Sequence, residues 1–372
     1  MNQFPFVSII ILNFNGKQWI EQCLRSLETI RYPKNRHEVI MGDNASTDDS
    51  VNFTEKNFPW VRIIQHQKNT GFCKGNNLCS YEAKGEYLVF LNNDTYVTPD
   101  WLSHLVQGLS IDPKVICCSP KILCPHLMDG KIIQAAGGVI SPSGGGYYDG
   151  WMEEDCPEYN EQKFTGFGCG AGVLIQKKFF LETGGFDEYY FYSNEENDLG
   201  LRVWLYGYKV LYVPTAVMYH YMGRTGFRGK GVTPAIEFLI MRNNLHFIFK
   251  NFELINVFKG FFLYSARYIV KMGYALLHGN FKIAGALIRA KWFFLKDIGK
   301  TLRSRKITQS ARKVRDKELI RNGILLNSKQ MFERNFTIAQ NMKKRGSDNF
   351  YDTQDSVKIR QNKDGELEFY KA

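Results

Sequence analysis

Two acidic clusters carry the residue types best suited to chemistry in this chain. Asn92-Asn93-Asp94 closes the strand-like run 87 to 91 (YLVFL). A carboxylate just past the end of a buried strand stands where open α/β sheets hold a ligand or a metal. The second cluster, Glu195-Glu196-Asn197-Asp198, comes about a hundred residues later. It follows a Gly184-Gly185-Phe186-Asp187-Glu188 turn and opens a helically periodic stretch from 199 to 206. Together they read as a metal-assisted group transfer with a separate general base.

The elements that must position these residues follow a simple rhythm. Apolar runs at 7 to 12, 38 to 41, 61 to 64 and 87 to 91 read as strands. Between the first two, Trp19, Ile20, Cys23, Leu24 and Leu27 recur at helical spacing, and further helices fit the later gaps. This alternation predicts an α/β fold with a mainly parallel central sheet flanked by helices. The strands end in Asn13, Asp43, His66 and Asn92, so one sheet edge becomes a polar rim. Glycine-rich stretches at 137 to 138 and 143 to 148 predict loops and hairpins. Strand patterns return at 171 to 176 and 209 to 213, around the helical stretch 196 to 206, and from 235 onward the patterns are helical.

Composition narrows the partners. The 372 residues suit one large domain with an appendage, or two domains, and 44% apolar content is ordinary for a globular chain. Of the net charge of +11, residues 250 to 345 hold 22 Lys/Arg against five Asp/Glu, a local +17 that leaves −6 elsewhere. In this region Phe258, Phe261, Phe262, Ile269, Met272 and Leu276 share a face, beside a stripe of Lys259, Leu263, Arg267 and Lys271. A second amphipathic stretch from 281 to 298 sets Lys282, Arg289 and Lys296 beside Leu287, Trp292, Phe293 and Phe294. Such faces fit a helix lying at an anionic membrane surface, with a solvated helical subdomain as the plain alternative. No uncharged run approaches the ~18 residues a bilayer needs. No nucleic-acid module is recognisable, so nucleic acid is not expected as a partner. The eight cysteines lack zinc-site spacing, and no secretory leader precedes the short apolar run at 7 to 12. The expected location is the cytoplasm, peripheral on the inner face of the cell membrane. A hairpin turning at 362 to 365 is expected near the end.

Five motifs now on the page occur in a particular order: VSIIILNFNG at 7 to 16, GDNASTDDS at 42 to 50, NTGFCKGNN at 69 to 77, FLNND at 90 to 94, and GGFDEYYFYSNEENDLGLR at 184 to 202. The chain resembles the family-two inverting glycosyltransferases, in the branch that includes bacterial rhamnosyltransferases. The resemblance implies a GT-A type fold. The resemblance covers about residues 5 to 225 and so implies a catalytic domain (1–230), while charge and periodicity set off a basic amphipathic helical region (231–345) and a polar tail with a short hairpin (346–372).

The resemblance also implies roles. Asp43 would contact the nucleotide base, with Asn13, Asn15, Asn44 and Asp48 near the nucleoside. A carboxylate accepts from a uracil or thymine N3–H, which favours a UDP- or dTDP-sugar donor, and branch resemblance suggests dTDP-rhamnose. The plainer reading of Asp43 is a turn residue. Asn69, Gly71, Phe72 and Asn76 would form a donor-site loop at a helix start, or simply a cap. Asp94, with Asn93 beside it and His220 completing the shell, would hold Mg²⁺ or Mn²⁺. Asn92 stands where the family pattern has a first carboxylate, which weakens metal dependence. Glu196, with Glu195 beside it, would be the catalytic base, Glu replacing the usual Asp. Apart from the resemblance, Arg224 sits in a glycine-punctuated basic loop whose makeup suits closure over the diphosphate and equally an ordinary linker.

The expected activity is sugar transfer to a hydroxyl of a glycan or lipid-linked acceptor in cell-surface glycan synthesis. Two alternatives stand beside it. A non-catalytic scaffold is supported by Asn92. A sugar-1-phosphate nucleotidyltransferase would need a glycine-rich phosphate loop after the first strand, where this chain has Asn13-Phe14-Asn15-Gly16-Lys17.

Overall fold

A computed structural model describes residues 4–222, 233–344, 357–361 and 367–371. Strand β1 (Val7–Asn13) leads to helix α1 (Lys17–Glu28), β2 (His37–Asp43) to α2 (Ser50–Asn57), β3 (Val61–Gln65) to α3 (Gly71–Glu82), and β4 (Tyr87–Asn92) follows. Next come β5 (Thr95–Val97), α4 (Trp101–Gly108) and the long, wholly buried β6 (Val115–Cys124). The glycine-rich middle forms β7 (Ile132–Ala135), the hairpin β8 (Gly138–Ile140) and β9 (Gly146–Tyr148), and β10 (Lys163–Thr165). Then β11 (Gly172–Gln176), α5 (Lys177–Glu182), α6 (Glu195–Leu205) and β12 (Lys209–His220) complete the sheet.

The main sheet runs β10-β12-β6-β11-β4-β1-β2-β3. The β4-β1-β2-β3 half is parallel, β12 runs parallel to β6, and β11 is antiparallel to both its neighbours. The register explains the rim. Asn13 pairs with Asp43 and Leu12 with Asn92, so these strands end in one row. Because β11 runs the other way, its entry at Gly170 meets that same row, and His220 at the end of β12 pairs with Thr95, next to Asp94.

Strand residues alternate between two cores, as the two-residue side-chain period requires. Ile9, Ile11, Met41 and Val89 pack with Ile20, Leu24 and Trp101 on one face. Ile10, Ile40, Leu88 and Phe90 face the other way, toward Leu201, Phe238, Phe247 and Leu287. The second cluster thus reaches into the C-terminal helices α7 (Pro234–Asn251), α8 (Leu254–Leu277) and α9 (Phe281–Lys296). Beyond these lie α10 (Ile298–Ser310), α11 (Asp316–Arg321), α12 (Ser328–Lys344) and the hairpin β13 (Val357–Gln361) with β14 (Leu367–Lys371). The turn expected at 362 to 365 lies outside the described residues.

A buried ionic lattice joins α6 to α7. Asp198 accepts from Arg202 Nε (2.8 Å), Lys250 Nζ (2.9 Å) and Asn251 Nδ2 (2.9 Å). Lys250 Nζ also reaches Asp187 Oδ2 at 2.6 Å, where His246 Nε2 lies 3.1 Å away. Burial pushes the Asp187 carboxyl up, but Lys250 and His246 outweigh it and hold the group well below its usual value; Lys250 and Arg202 do the same for Asp198. Burial pushes the His246 imidazole below its ordinary value.

Two outcomes follow. Lys250→Met removes the cation shared by two buried carboxylates and should cost about 3–5 kcal/mol in urea unfolding. All three groups are depressed in the fold, so their contributions are present at high pH and are lost as pH falls. The melting temperature should begin to drop below the ordinary histidine value of 6.5 and drop further below the ordinary aspartate value of 3.8. A melting temperature that stays level from pH 7 to 3 would contradict this.

Candidate active site

Asp94 sits in the tight connection from β4 to β5, and its Oδ1 lies 3.0 Å from His220 Nε2. Asn92 Nδ2 is 3.3 Å from the same nitrogen. On the far side of the ring, His220 Nδ1 lies 2.7 Å from Gln134 Oε1. That acceptor places the proton of the neutral imidazole on Nδ1 and leaves the Nε2 lone pair directed at a carboxylate. A cation between the two groups would relieve their repulsion. A carboxylate, an oriented imidazole and a side-chain amide therefore suit a hard divalent cation. Among the described residues no group of three or more His, Cys, Asp or Glu could hold a metal. Further ligands must come from a bound substrate and water. Gln134 was not anticipated from sequence; its only signal is one polar side chain in the otherwise apolar, buried strand β7.

Glu196 lies in the first turn of α6. Its Oε2 accepts from the Gly170 backbone N–H at 2.7 Å, and its Oε1 accepts from the Tyr148 hydroxyl. An added Cβ at Gly170 would lie 2.6 Å from Oε2, so a larger residue there would displace the carboxylate. Burial, together with Cys169 and Glu196 alongside, pushes the Tyr148 phenol well above its ordinary value, so it remains a donor. The acidic cluster divides as helical geometry demands. Glu195 and Glu196 line the cavity, while Asp198, two residues and about 200° further round the helix, enters the ionic lattice in the core.

The segment leading into α6 is strained. Phe191, Ser193 and Asn194 have φ of 42°, 73° and 77°, a left-handed conformation that costs non-glycine residues roughly 1–3 kcal/mol each. Helix α7 holds it in place. The buried Asn243 Nδ2 donates to Ser193 O (2.8 Å), Tyr192 O (2.9 Å) and Tyr190 O (3.3 Å), while its Oδ1 accepts from Arg242 Nη2 (2.9 Å) and Nε (3.1 Å). Asn194 Nδ2 donates to Asn244 Oδ1 at 2.8 Å. These residues lie about 50 positions from the loop they hold, and nothing local in sequence marks them.

On the strand-end side, Asn13 is the hub. Its Nδ2 donates to Ser50 Oγ (2.8 Å), Asp43 Oδ1 (3.0 Å) and Ser46 Oγ (3.1 Å), and its Oδ1 accepts from Asn93 Nδ2 at 2.9 Å. Asn44 Nδ2 donates to Gly71 O, and Asn69 Oδ1 accepts from the Gly71 N–H, which fastens the left-handed Gly71 at the start of α3.

Asn13, Asn44, Asn69, Gly71, Phe72, Asn93, Asp94, Glu195, Glu196 and His220 all line a single cavity of about 430 Å³. Four expected site residues do not line it. Asp43 is only 2% exposed, and its carboxylate accepts from Asn13, Ser46 Oγ (2.5 Å) and Ser46 N (2.9 Å), which engages it in the turn. Asn15 Oδ1 accepts from Thr47 N at 2.7 Å and so braces the same loop. Asp48 accepts from Lys17 N (2.9 Å) and Ser50 Oγ (2.5 Å); burial raises its carboxyl, but these bonds prevail and hold it low. Asn76 is buried and donates to Phe72 O within its own helix at 3.0 Å. Each of the four is bonded within the protein; Asp43 and Asn76 are buried, whereas Asn15 and Asp48 are partly exposed. Arg224 lies outside the described residues.

This geometry has known counterparts. Residues 8–125 match the model of glycosyl transferase family 2, and residues 87–229 that of glycosyl transferase family group 2. The chain is 27% identical over 241 residues to the N-acetylglucosaminyl-diphospho-decaprenol L-rhamnosyltransferase of Mycobacterium tuberculosis H37Rv, covering 59% of this chain and 77% of that protein. It is 21% identical over 229 residues to N-acetylgalactosaminyltransferase 6 of Drosophila melanogaster, covering 59% of this chain but only 34% of that protein. Among solved structures, GalNAc-T7 with UDP, GalNAc and Mn²⁺ superposes with a TM-score of 0.52 at 19% identity, over 64% of this chain and 48% of that one. The mannosyltransferase PcManGT from Pyrobaculum calidifontis, in complex with GDP-Man and Mn²⁺, gives 0.50 at 16% identity, over 79% and 88%. At these identities the structural likeness establishes the GT-A fold alone. With the two family matches running on from residue 8 to residue 229, across every strand that shapes the cavity, the chain belongs to glycosyltransferase family 2.

Proposed function

We propose that this chain transfers a sugar, with inversion, from a UDP- or dTDP-sugar to a hydroxyl of a lipid-linked or polysaccharide acceptor in cell-surface glycan synthesis. One observation carries the reading: Asp94 with His220, and Glu196, line the same cavity from different elements. Glu196 takes the proton of the acceptor hydroxyl as that oxygen attacks the anomeric carbon, and the bond to the nucleoside diphosphate breaks on the opposite side. Tyr148 and Gly170 hold the carboxylate in one orientation for this step. Mg²⁺ or Mn²⁺ held by Asp94 and His220 would supply neutralisation of the charge gathering on the departing diphosphate. Asn13, Asn44, Asn69 and Asn93 form the nucleoside side, with Asp43 bracing it from beneath. The rhamnosyltransferase relative favours dTDP-rhamnose as the donor.

The C-terminal helices supply the route to a lipid-linked acceptor. Phe262 is 73% exposed, Leu277 86% and Trp292 65%, alongside Phe258, Ile269 and Val270, within the basic stretch of the chain. Apolar rings interleaved with lysines and arginines suit an anionic membrane surface on the cytoplasmic side. No described helix is long and apolar enough to cross a membrane.

Three measurements test this reading. Glu196→Gln should lower transfer about 10²- to 10⁴-fold while leaving nucleotide binding unchanged, whereas full activity in this variant would return the scaffold reading. In thermal-shift assays Mn²⁺ alone should do little. Mn²⁺ with UDP or dTDP near 100 times the dissociation constant should stabilise by about 2.7 kcal/mol, and Asp94→Ala should remove the cation-dependent part. The protein should float with phosphatidylglycerol vesicles and not with phosphatidylcholine ones, and Phe262→Glu with Trp292→Glu should abolish flotation.

A further inference from the structure

The cavity has an unspent cation. Three carboxylates line it, Asp94, Glu195 and Glu196, but Arg267 is the only Lys or Arg among the described lining residues. It comes from α8, and the same cavity is lined by Ile240 and Asn244 of α7 and by Gly144 to Gly146, whereas Asp94 and His220 come from the strand ends. Gly260, Tyr264, Arg267 and Lys271 recur at spacings of four, three and four along one side of α8. The other three are committed. A Cβ on Gly260 would meet the Pro142 carbonyl at 2.5 Å, Tyr264 is buried, and Lys271 Nζ binds both oxygens of buried Glu237, at 2.6 and 2.7 Å. Arg267 alone on this side is exposed, and it makes no ion pair or hydrogen bond with any described residue.

We propose that Arg267 binds a phosphate oxygen of the acceptor, and that the acceptor is a prenyl-type lipid carrying its sugar through a phosphate or diphosphate. The inference rests on the glycosyl-transfer reading and narrows its acceptor class. A planar guanidinium matches phosphate bidentately, and a neutral glycan would leave it unused. The donor diphosphate belongs at Asp94 and His220, on the strand-end side. The same helix carries the exposed Phe258, Phe262, Ile269 and Val270, so a lipid chain can follow α8 while its phosphate meets Arg267 and its sugar hydroxyl reaches Glu196.

The test is equilibrium binding of two probes to the full chain: a short-chain prenyl diphospho-N-acetylglucosamine, and the matching prenyl glycoside without phosphates. Arg267→Ala should weaken the first about ten- to a hundredfold, the loss expected for a charged hydrogen bond, and leave the second unchanged; Arg267→Lys should fall between. UDP–Mn²⁺ affinity, melting temperature and flotation with phosphatidylglycerol vesicles should all match the wild type. Equal weakening of both probes, or failure of the wild type to bind the diphosphate probe, overturns the proposal. A fall in UDP affinity would assign Arg267 to the donor instead, and loss of flotation would assign it to phospholipid headgroups; either result also overturns it. None of these outcomes depends on turnover, so the transfer reading stands or falls separately on the Glu196→Gln assay.

Discussion

The site depends on one mechanical constraint: the grip of α7 on the strained segment that leads into α6. Three left-handed, non-glycine residues in a row of four cannot persist unless their surroundings over-determine them. Asn243 does so by gathering three carbonyls of the segment onto one amide, and Arg242 fixes which way that amide faces. Below it, Lys250 joins Asp187 and Asp198, tying both ends of the segment to the same helix. The segment runs straight into α6, whose first turn places Glu196 in the cavity, bonded to Gly170 and Tyr148.

The strand ends reach their positions differently. Asn13, Asp43 and Asn92 are brought together by the register of three parallel strands, and their bonds lie mostly within one local network. Such a network is rigid before any ligand arrives, because buried polar groups that satisfy one another leave no alternative arrangement of similar energy. The cation corner is looser. His220 is oriented by Gln134 and faces Asp94, but two such groups would not complete a cation's shell, so occupancy there would depend on the donor.

The C-terminal helices combine two roles that sequence composition alone would separate. Their inner faces, through Phe238, Phe247 and Leu287, belong to the same buried cluster as Ile10 and Phe90 of the sheet. Their outer faces expose large apolar rings beside basic residues. Any force at the outer surface therefore acts on helices directly packed against α7, the element that holds the segment leading to Glu196.

Much of the sheet was legible in the sequence, since apolar runs of period two and polar strand ends are local signals. Asp94 could be singled out by its place just past a buried strand; His220 and Glu196 were singled out by the order of the family's motifs, since acidic residues open many helices simply because they suit the dipole. Asp43, Asn15, Asp48 and Asn76 could not be sorted from their neighbours. Whether a polar side chain faces a ligand or its own loop depends on partners such as Ser46 and Thr47, which the fold decides by fractions of an ångström. The roles of Gln134, Tyr148, Gly170 and Asn243 were not legible, because each bonds to a residue far away in the chain. The order of residues determined which groups could take part and where strands would end. Only the tertiary structure decided which of them meet, since that turns on packing and register across distances no local pattern encodes.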